Sequence, residues 1–264
     1  MSDLPLGWAT DIAVLEHMGS TIDDRGDHIV VRTPEVPLYH WGNCIFVTDP
    51  DAVDDAQRWV DVFESEVPEV DWLAVGLVRM PADVAGWARH GAELEFSDVL
   101  ATSTLPAQSA CPQSYDVHPL VLADDWEQFV QRDIALNDEE RRQERESHER
   151  FARERATAYR AMAQQNTARF FGAFSAGRLV AELGIVRCGE VARYQTVGTD
   201  QAHRGRGLAS HLLGVAGAWA RDQGCDQWVI VTEATNPAGR VYRRAGFVVD
   251  APLVTAYRRP PVEG

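Results

Sequence analysis

At 264 residues the chain is long enough for one large or two small domains, each able to bury a core, and its 45% apolar fraction with 8 Trp and 9 Phe is globular, not disordered. A formal charge of −15 argues against non-specific binding to nucleic acid or to an anionic membrane, since both need a positive field; it is compatible with a cationic substrate, and solubility explains it equally well. No segment approaches the roughly 20 uninterrupted apolar residues that cross a bilayer.

The opening Met-Ser-Asp-Leu-Pro-Leu-Gly lacks a basic stretch followed by an apolar core, so the expectation is a cytoplasmic chain without an export signal. From Met1 to about Thr104, strand-like and helix-like segments alternate. Ile29–Arg32 and Asn43–Val47 read as strands. Asp49-Pro50 then reads as the cap of a helix through Glu64, with Val53, Ala56, Val60 and Phe63 on one face. Leu73–Val78 is a buried strand, Ala82 to His90 a short helix closed by Gly91, and Glu93–Phe96 another strand.

The run Leu105–Tyr115 is small, polar and punctuated by proline, and reads as a connector. A helix follows at Asp124–Val130. From Asn137 to about Gln164 alternating Glu and Arg at helical spacing predict a long exposed helix held by ion pairs. Arg169–Phe174 and Leu179–Val186 flank the turn Ser175–Arg178 and make a hairpin, and Glu190–Thr199 is the next strand. The four cysteines, Cys44, Cys111, Cys188 and Cys225, stand apart without C-x-x-C spacing or nearby histidine pairs. They read as free thiols, and no metal is expected.

The stretch after Gln195 carries the chemistry. Gly205 and Gly207 have no side chains, so backbone N–H groups can approach a ligand closely, and a helix opening at about Leu208 turns its positive end there. That is a cradle for phosphate, with Arg204 and Arg206 adding two guanidinium forks. The same pattern also suits a tight turn with two surface arginines. Neither G-x-x-x-x-G-K-S/T nor G-x-G-x-x-G is present, which sets two common phosphate folds aside. Downstream, Trp228–Val231 reads as a buried strand, followed by a helix capped by Asn236 with Pro237 in its first position and stopped at Gly246. Val248-Val249 and Leu253–Tyr257 close the sheet, and the tail from Arg258 reads as loose.

Arg204, Gly207 and Ala209 fill the pattern Q/R-x-x-G-x-G/A, and the run resembles the acyl-CoA pyrophosphate loop of the GNAT N-acetyltransferases. Asn236, Tyr242, Gly246 and Phe247 are similar to that family's second motif. The likeness covers roughly the C-terminal half, from about Asp116. Laying Trp228–Val231 on Leu73–Gly76 brings Tyr242 near Trp87 and repeats the helix-then-glycine punctuation. Asp49, Asp51, Asp54 and Asp55 stand where the other half has Arg204 and Arg206, and carboxylates repel pyrophosphate. The chain thus resembles the tandem members of the family. The implied fold is α+β, an α/β sandwich of two GNAT-like domains, each a mixed, mostly antiparallel central sheet flanked by helices. Its expected boundaries are a degenerate domain over 1–104, a linker over 105–115 and an acetyl-CoA-binding domain over 116–264.

The resemblance further implies that acetyl-CoA, as co-substrate, lies along Tyr194–Thr199, where the main chain at Val197, Gly198 and Thr199 meets the pantetheine and thioester. Its pyrophosphate would rest on Arg204, Gly205, Arg206, Gly207, Leu208, Ala209 and Ser210, with Asn236, Tyr242 and Arg243 completing the contacts. Tyr242 matches the tyrosine near the CoA sulfur, a proton donor to the departing thiolate; the alternative is an aromatic anchoring its helix to the sheet. Where some members carry a basic glutamate this chain has about Arg193, which leaves Glu182, Glu233, a water relay or a weakly basic amine. The implied function is acetyl transfer to a small amine, with no nucleic-acid or membrane partner and a monomer or homodimer. The alternative is a non-catalytic acyl-CoA sensor or interaction protein. With no lysine in the chain, it cannot acetylate a lysine side chain of its own.

Overall fold

The computed structural model describes residues 4–68, 70–140 and 144–260. The chain forms two compact units, one holding the residues up to Asp98 together with those from Ala251 onward, the other Val99–Asp250.

The first unit opens with α1 (Leu6–His17), β1 (Thr21–Asp24), β2 (His28–Arg32) and β3 (Cys44–Val47), followed by α2 (Ala56–Glu66), β4 (Leu73–Leu77), α3 (Val84–Arg89) and the start of β5 (Glu93–Thr102). Strands β1, β2 and β3 are antiparallel neighbours, and β3 runs parallel to β4, so α2 is a crossover. The far side of β4 is taken by the end of the chain's last strand, Val254–Arg258 pairing antiparallel with Leu73–Leu77. A side chain at Gly76 would meet Phe46 at 2.4 Å and Trp8 at 3.0 Å, so a glycine in mid-strand admits the Trp8–Phe46 ring pair.

The second unit takes the end of β5, then β6 (Asp116–Pro119), α4 (Ala123–Glu140), α5 (Arg145–Gln164), β7 (Ala168–Ser175), β8 (Arg178–Cys188), β9 (Val191–Thr199), α6 (Leu208–Asp222), β10 (Gln227–Glu233), α7 (Gly239–Arg244) and the start of β11 (Val248–Arg258). Its strand order is β6-β7-β8-β9-β10-β5, antiparallel from β6 to β9 and parallel between β9 and β10. Successive residues of β7 show the sandwich. Phe170 packs on Trp126, Phe129 and Tyr159 of α4 and α5, while Phe171 belongs to the core with Leu212, Leu213 and Ala216 of α6.

Both units are therefore mixed, mostly antiparallel sheets flanked by helices. Their boundaries differ from the 1–104, 105–115 and 116–264 division at two places. The last strand returns to β4, and Leu100 of β5 lies in the second unit's core. The connector is no free linker either, because it is fastened to two helices: Ala107 donates its N–H to the O of Ala245 at the end of α7, and a side chain at Gly214 of α6 would fall 2.2 Å from Gln108 Cβ.

Three helix expectations also shift. The chain from Asp49 to Asp55 is turned, with Asp49 Oδ1 accepting from Asp51 N, and α2 starts at Ala56 under the cap Asp55. The charged stretch after Asn137 is the end of α4 and then α5, residues 141–143 lying outside the described residues. Its helix is not simply exposed, since Phe151, Ala152, Ala156, Tyr159 and Met162 form a buried stripe beneath the ion pairs. Beyond Pro260 the tail lies outside the described residues.

Candidate active site

The ladder between β9 and β10 joins Val191–Arg193 to Gln227–Val229 among the described residues, and β9 continues beyond it to Thr199. Against β8 its register shifts: Gly184 faces Gln195 and Glu182 faces Gly198, so Leu183 alone spans Thr196 and Val197. That is a β-bulge, and Thr196 carries it at φ 46°. The bulge re-aims the backbone of Val197, Gly198 and Thr199. Before it, Tyr194 anchors the strand by donating its hydroxyl to Leu213 O at 2.7 Å.

After Thr199 the chain makes one 3-10 turn, Gln201–His203, and reaches the glycine turn. Gly205 and Gly207 sit at φ 74° and 84°, where other residues are strained, and a side chain at Gly205 would meet nothing within 4 Å. Gly207 is the N-cap of α6, so no side chain caps the first turn. Exposed backbone and the exposed Arg204 and Arg206 surround this helix end, while Leu208 is buried and fixes it to the core. Arg204 Nε donates to Thr199 O at 3.1 Å and Arg206 Nη2 to Ala202 O at 3.2 Å. Ala209 and Ser210 are half-buried in the same turn. The Arg204–Ser210 cluster thus fits a diphosphate, with an open helix N-terminus, positive-φ glycines and two guanidinium groups.

Sequence reasoning missed the strap that supports this turn. Ser109 Oγ donates to Gly207 O at 3.0 Å, and His211 Nδ1 lies 2.7 Å from Ser109 O, as a donor to that carbonyl. Gly214 and Gly217 signalled it, as small residues on the α6 face that the strap crosses.

The second motif differs in detail. Regular helix α7 begins only at Gly239; Asn236 Oδ1 accepts from Ala238 N at 2.9 Å, making a local turn ahead of it. Asn236 and Arg243 are exposed, and Arg243 Nη1 lies 2.8 Å from where a Gly239 side chain would start. Tyr242 is 4% exposed within the core of the second unit, and burial pushes its phenol up to about 12. Its hydroxyl is thus a more reluctant donor than the ordinary phenol assumed from the sequence.

Of the candidate bases, Glu233 is exposed at the end of β10, and the position of the expected glutamate is the buried Arg193. Glu182 is set into the sheet opposite Gly198. Arg132 of α4 binds it through Nε at 2.5 Å and also binds Asp200, which Arg178 holds on its other oxygen at 3.0 Å. Burial raises the Glu182 carboxyl, with Arg132 opposing it. Among the described residues, no cluster of His, Cys, Asp or Glu could hold a metal ion, and no helix is long and apolar enough to cross a membrane.

Residues 133–247 match the model of the acetyltransferase (GNAT) family. No curated protein matches the sequence. Among solved structures, the chain is similar to a functionally unknown conserved protein from Staphylococcus epidermidis, with a TM-score of 0.70 at 11% identity over 92% of this chain and 96% of that one. A GCN5-related N-acetyltransferase from Kribbella flavida gives 0.64 at 15% identity, covering 96% of each chain. A tandem GNAT protein from the clavulanic acid biosynthesis pathway gives 0.55 at 13% identity, covering 99% of each. Likenesses of this identity speak for the fold.

Proposed function

Since the chain belongs to the acetyltransferase (GNAT) superfamily, we propose that it is an acetyl-CoA-dependent N-acetyltransferase of a small amine, with its chemistry in the second unit. One observation carries this reading: the N-terminus of α6 opens through two positive-φ glycines, without a side-chain cap, beside Arg204 and Arg206. Carboxylates occupy the corresponding helix starts of the first unit. Asp55 caps α2, Asp83 caps α3, and Asp54 accepts from the N–H groups of Ala82 and Asp83. An anion already sits there, covalently attached, so the first unit serves the fold and not the cofactor.

In this reading Val197, Gly198 and Thr199, turned by the bulge, meet the pantetheine and the thioester, and Asn236 and Arg243 lie along the same ligand. Tyr242 supplies the thiolate proton. Its burial favours the second reading, an acyl-CoA sensor that binds without turnover. Release of free thiol from acetyl-CoA with a panel of putrescine, benzylamine and glycine amide separates the two. Amine-dependent release supports the enzyme; tight binding with no release supports the sensor.

A further inference from the structure

We infer that Glu182 is the base that takes the proton from the acceptor amine, a step that rests on the acetyl-transfer reading above. Glu182 on β8 and Gly198 on β9 are direct cross-strand partners just beyond the bulge. A Cβ on Gly198 would lie 2.2 Å from Glu182 Oε1 and 3.1 Å from its Cδ, so the carboxylate occupies the space that only a glycine leaves open. It lies over the backbone assigned to the thioester.

The two carboxylate oxygens are used differently. Oε2 accepts from Arg132 Nε at 2.5 Å, which fixes the rotamer, while Oε1 has no hydrogen-bond partner among the described residues. The side chain is 14% exposed, so it is not sealed from solvent. Neighbouring Asp200 cannot do the same, because Arg132 and Arg178 hold its two oxygens. The charged groups facing Glu182 are Arg132 and Asp133 of α4, with Asp200 beyond β9; Arg132 favours the ionised carboxyl, and burial with the two aspartates favours the protonated one. A carboxyl whose ionised form is held by Arg132 and whose protonated form is favoured by burial is suited to taking up a proton in the transfer.

The step balances. The substrate ammonium gives one proton to Glu182 Oε1, and the freed nitrogen lone pair forms the bond to the thioester carbonyl carbon. The carbon–sulfur bond breaks with its electron pair on sulfur. The second proton lost by nitrogen accounts for the one that CoA thiol gains, and Glu182 returns its proton to water.

The test compares wild type with Glu182→Gln, which keeps an acceptor for Arg132 but cannot take up a proton. With acetyl-CoA and the most active amine of the panel, kcat/KM at neutral pH falls about 10²-fold, while acetyl-CoA affinity stays within about 2-fold. The deficit shrinks as pH rises and the amine arrives neutral. Glu182→Asp retains part of the activity and the acidic limb of the pH profile, which covers the case of a Gln variant that fails to fold. A Glu182→Gln enzyme with the wild-type rate and limb, or a Glu182→Asp enzyme without the limb, overturns the inference alone. A wild-type chain that binds acetyl-CoA but releases no thiol overturns the transfer reading and this step with it.

Discussion

Ser109 donates its hydroxyl to the carbonyl oxygen of Gly207, 3.0 Å away, fastening the proline-punctuated strap to the turn that opens α6. The strap lies so close to α6 that Gly214 has no room for a side chain: Gln108 Cβ and Cα would stand 2.2 Å and 2.6 Å from it. Backbone is in the way, and overpacking of this kind costs about 1–3 kcal/mol. Gly214→Ala is therefore expected to lower the urea midpoint and to weaken acetyl-CoA binding by loosening the turn. Equilibrium unfolding and calorimetry check both. An unchanged midpoint would show that the strap yields freely.

Tyr242→Phe removes one hydroxyl and leaves the ring to pack among Leu208, Leu212 and Phe247. If the phenol supplies the thiolate proton, kcat falls about 10²-fold with little change in acetyl-CoA affinity. Burial raises the phenol to about 12, so it stays protonated throughout an ordinary assay range and adds no alkaline limb near pH 10. Steady-state kinetics from pH 6 to 10 check this. Full activity for the Phe variant assigns Tyr242 to anchoring.

His40 of the first unit stacks on Trp72 with ring centroids 4.1 Å apart, and its Nδ1 shares a 2.6 Å hydrogen bond with Tyr257 of β11. Burial depresses its pKa from 6.5 to about 4, so the folded chain holds the ring neutral where the unfolded chain protonates it. The unfolded state then binds more protons between those values, and stability falls as pH drops from 6.5 towards 4, by about 3 kcal/mol from this group. Urea denaturation between pH 7 and 4 measures the slope. His40→Phe removes this part of it; an identical slope in that variant would contradict the assignment.

Local signals were legible in the sequence where one interaction decides them. The β7–β8 hairpin follows from two apolar runs about Ala176-Gly177, and the glycine turn from Gly205 and Gly207 ahead of an apolar helix face. Helix starts depart from the sequence pattern where an Asx turn competes with a cap: Asp49 and Asn236 bind N–H groups two residues on and leave the helix to begin later. Helix α1 escaped because apolar residues lie all round it, without a periodic stripe, and the buried stripe of α5 was masked by its charges. The return of β11 to β4 and the meeting of Glu182 with Gly198 depend on non-local pairing and on a bulge at Thr196, which no local pattern encodes.

Titration calorimetry of acetyl-CoA into wild type and into a chain carrying Arg204→Glu with Arg206→Glu tests the site most directly. The uncapped α6 and its two arginines predict a stoichiometry near one per chain, binding that weakens with added salt, and loss of that binding in the double variant. A stoichiometry near two, or unimpaired binding in the double variant, would contradict a single acetyl-CoA site at Gly205–Ser210.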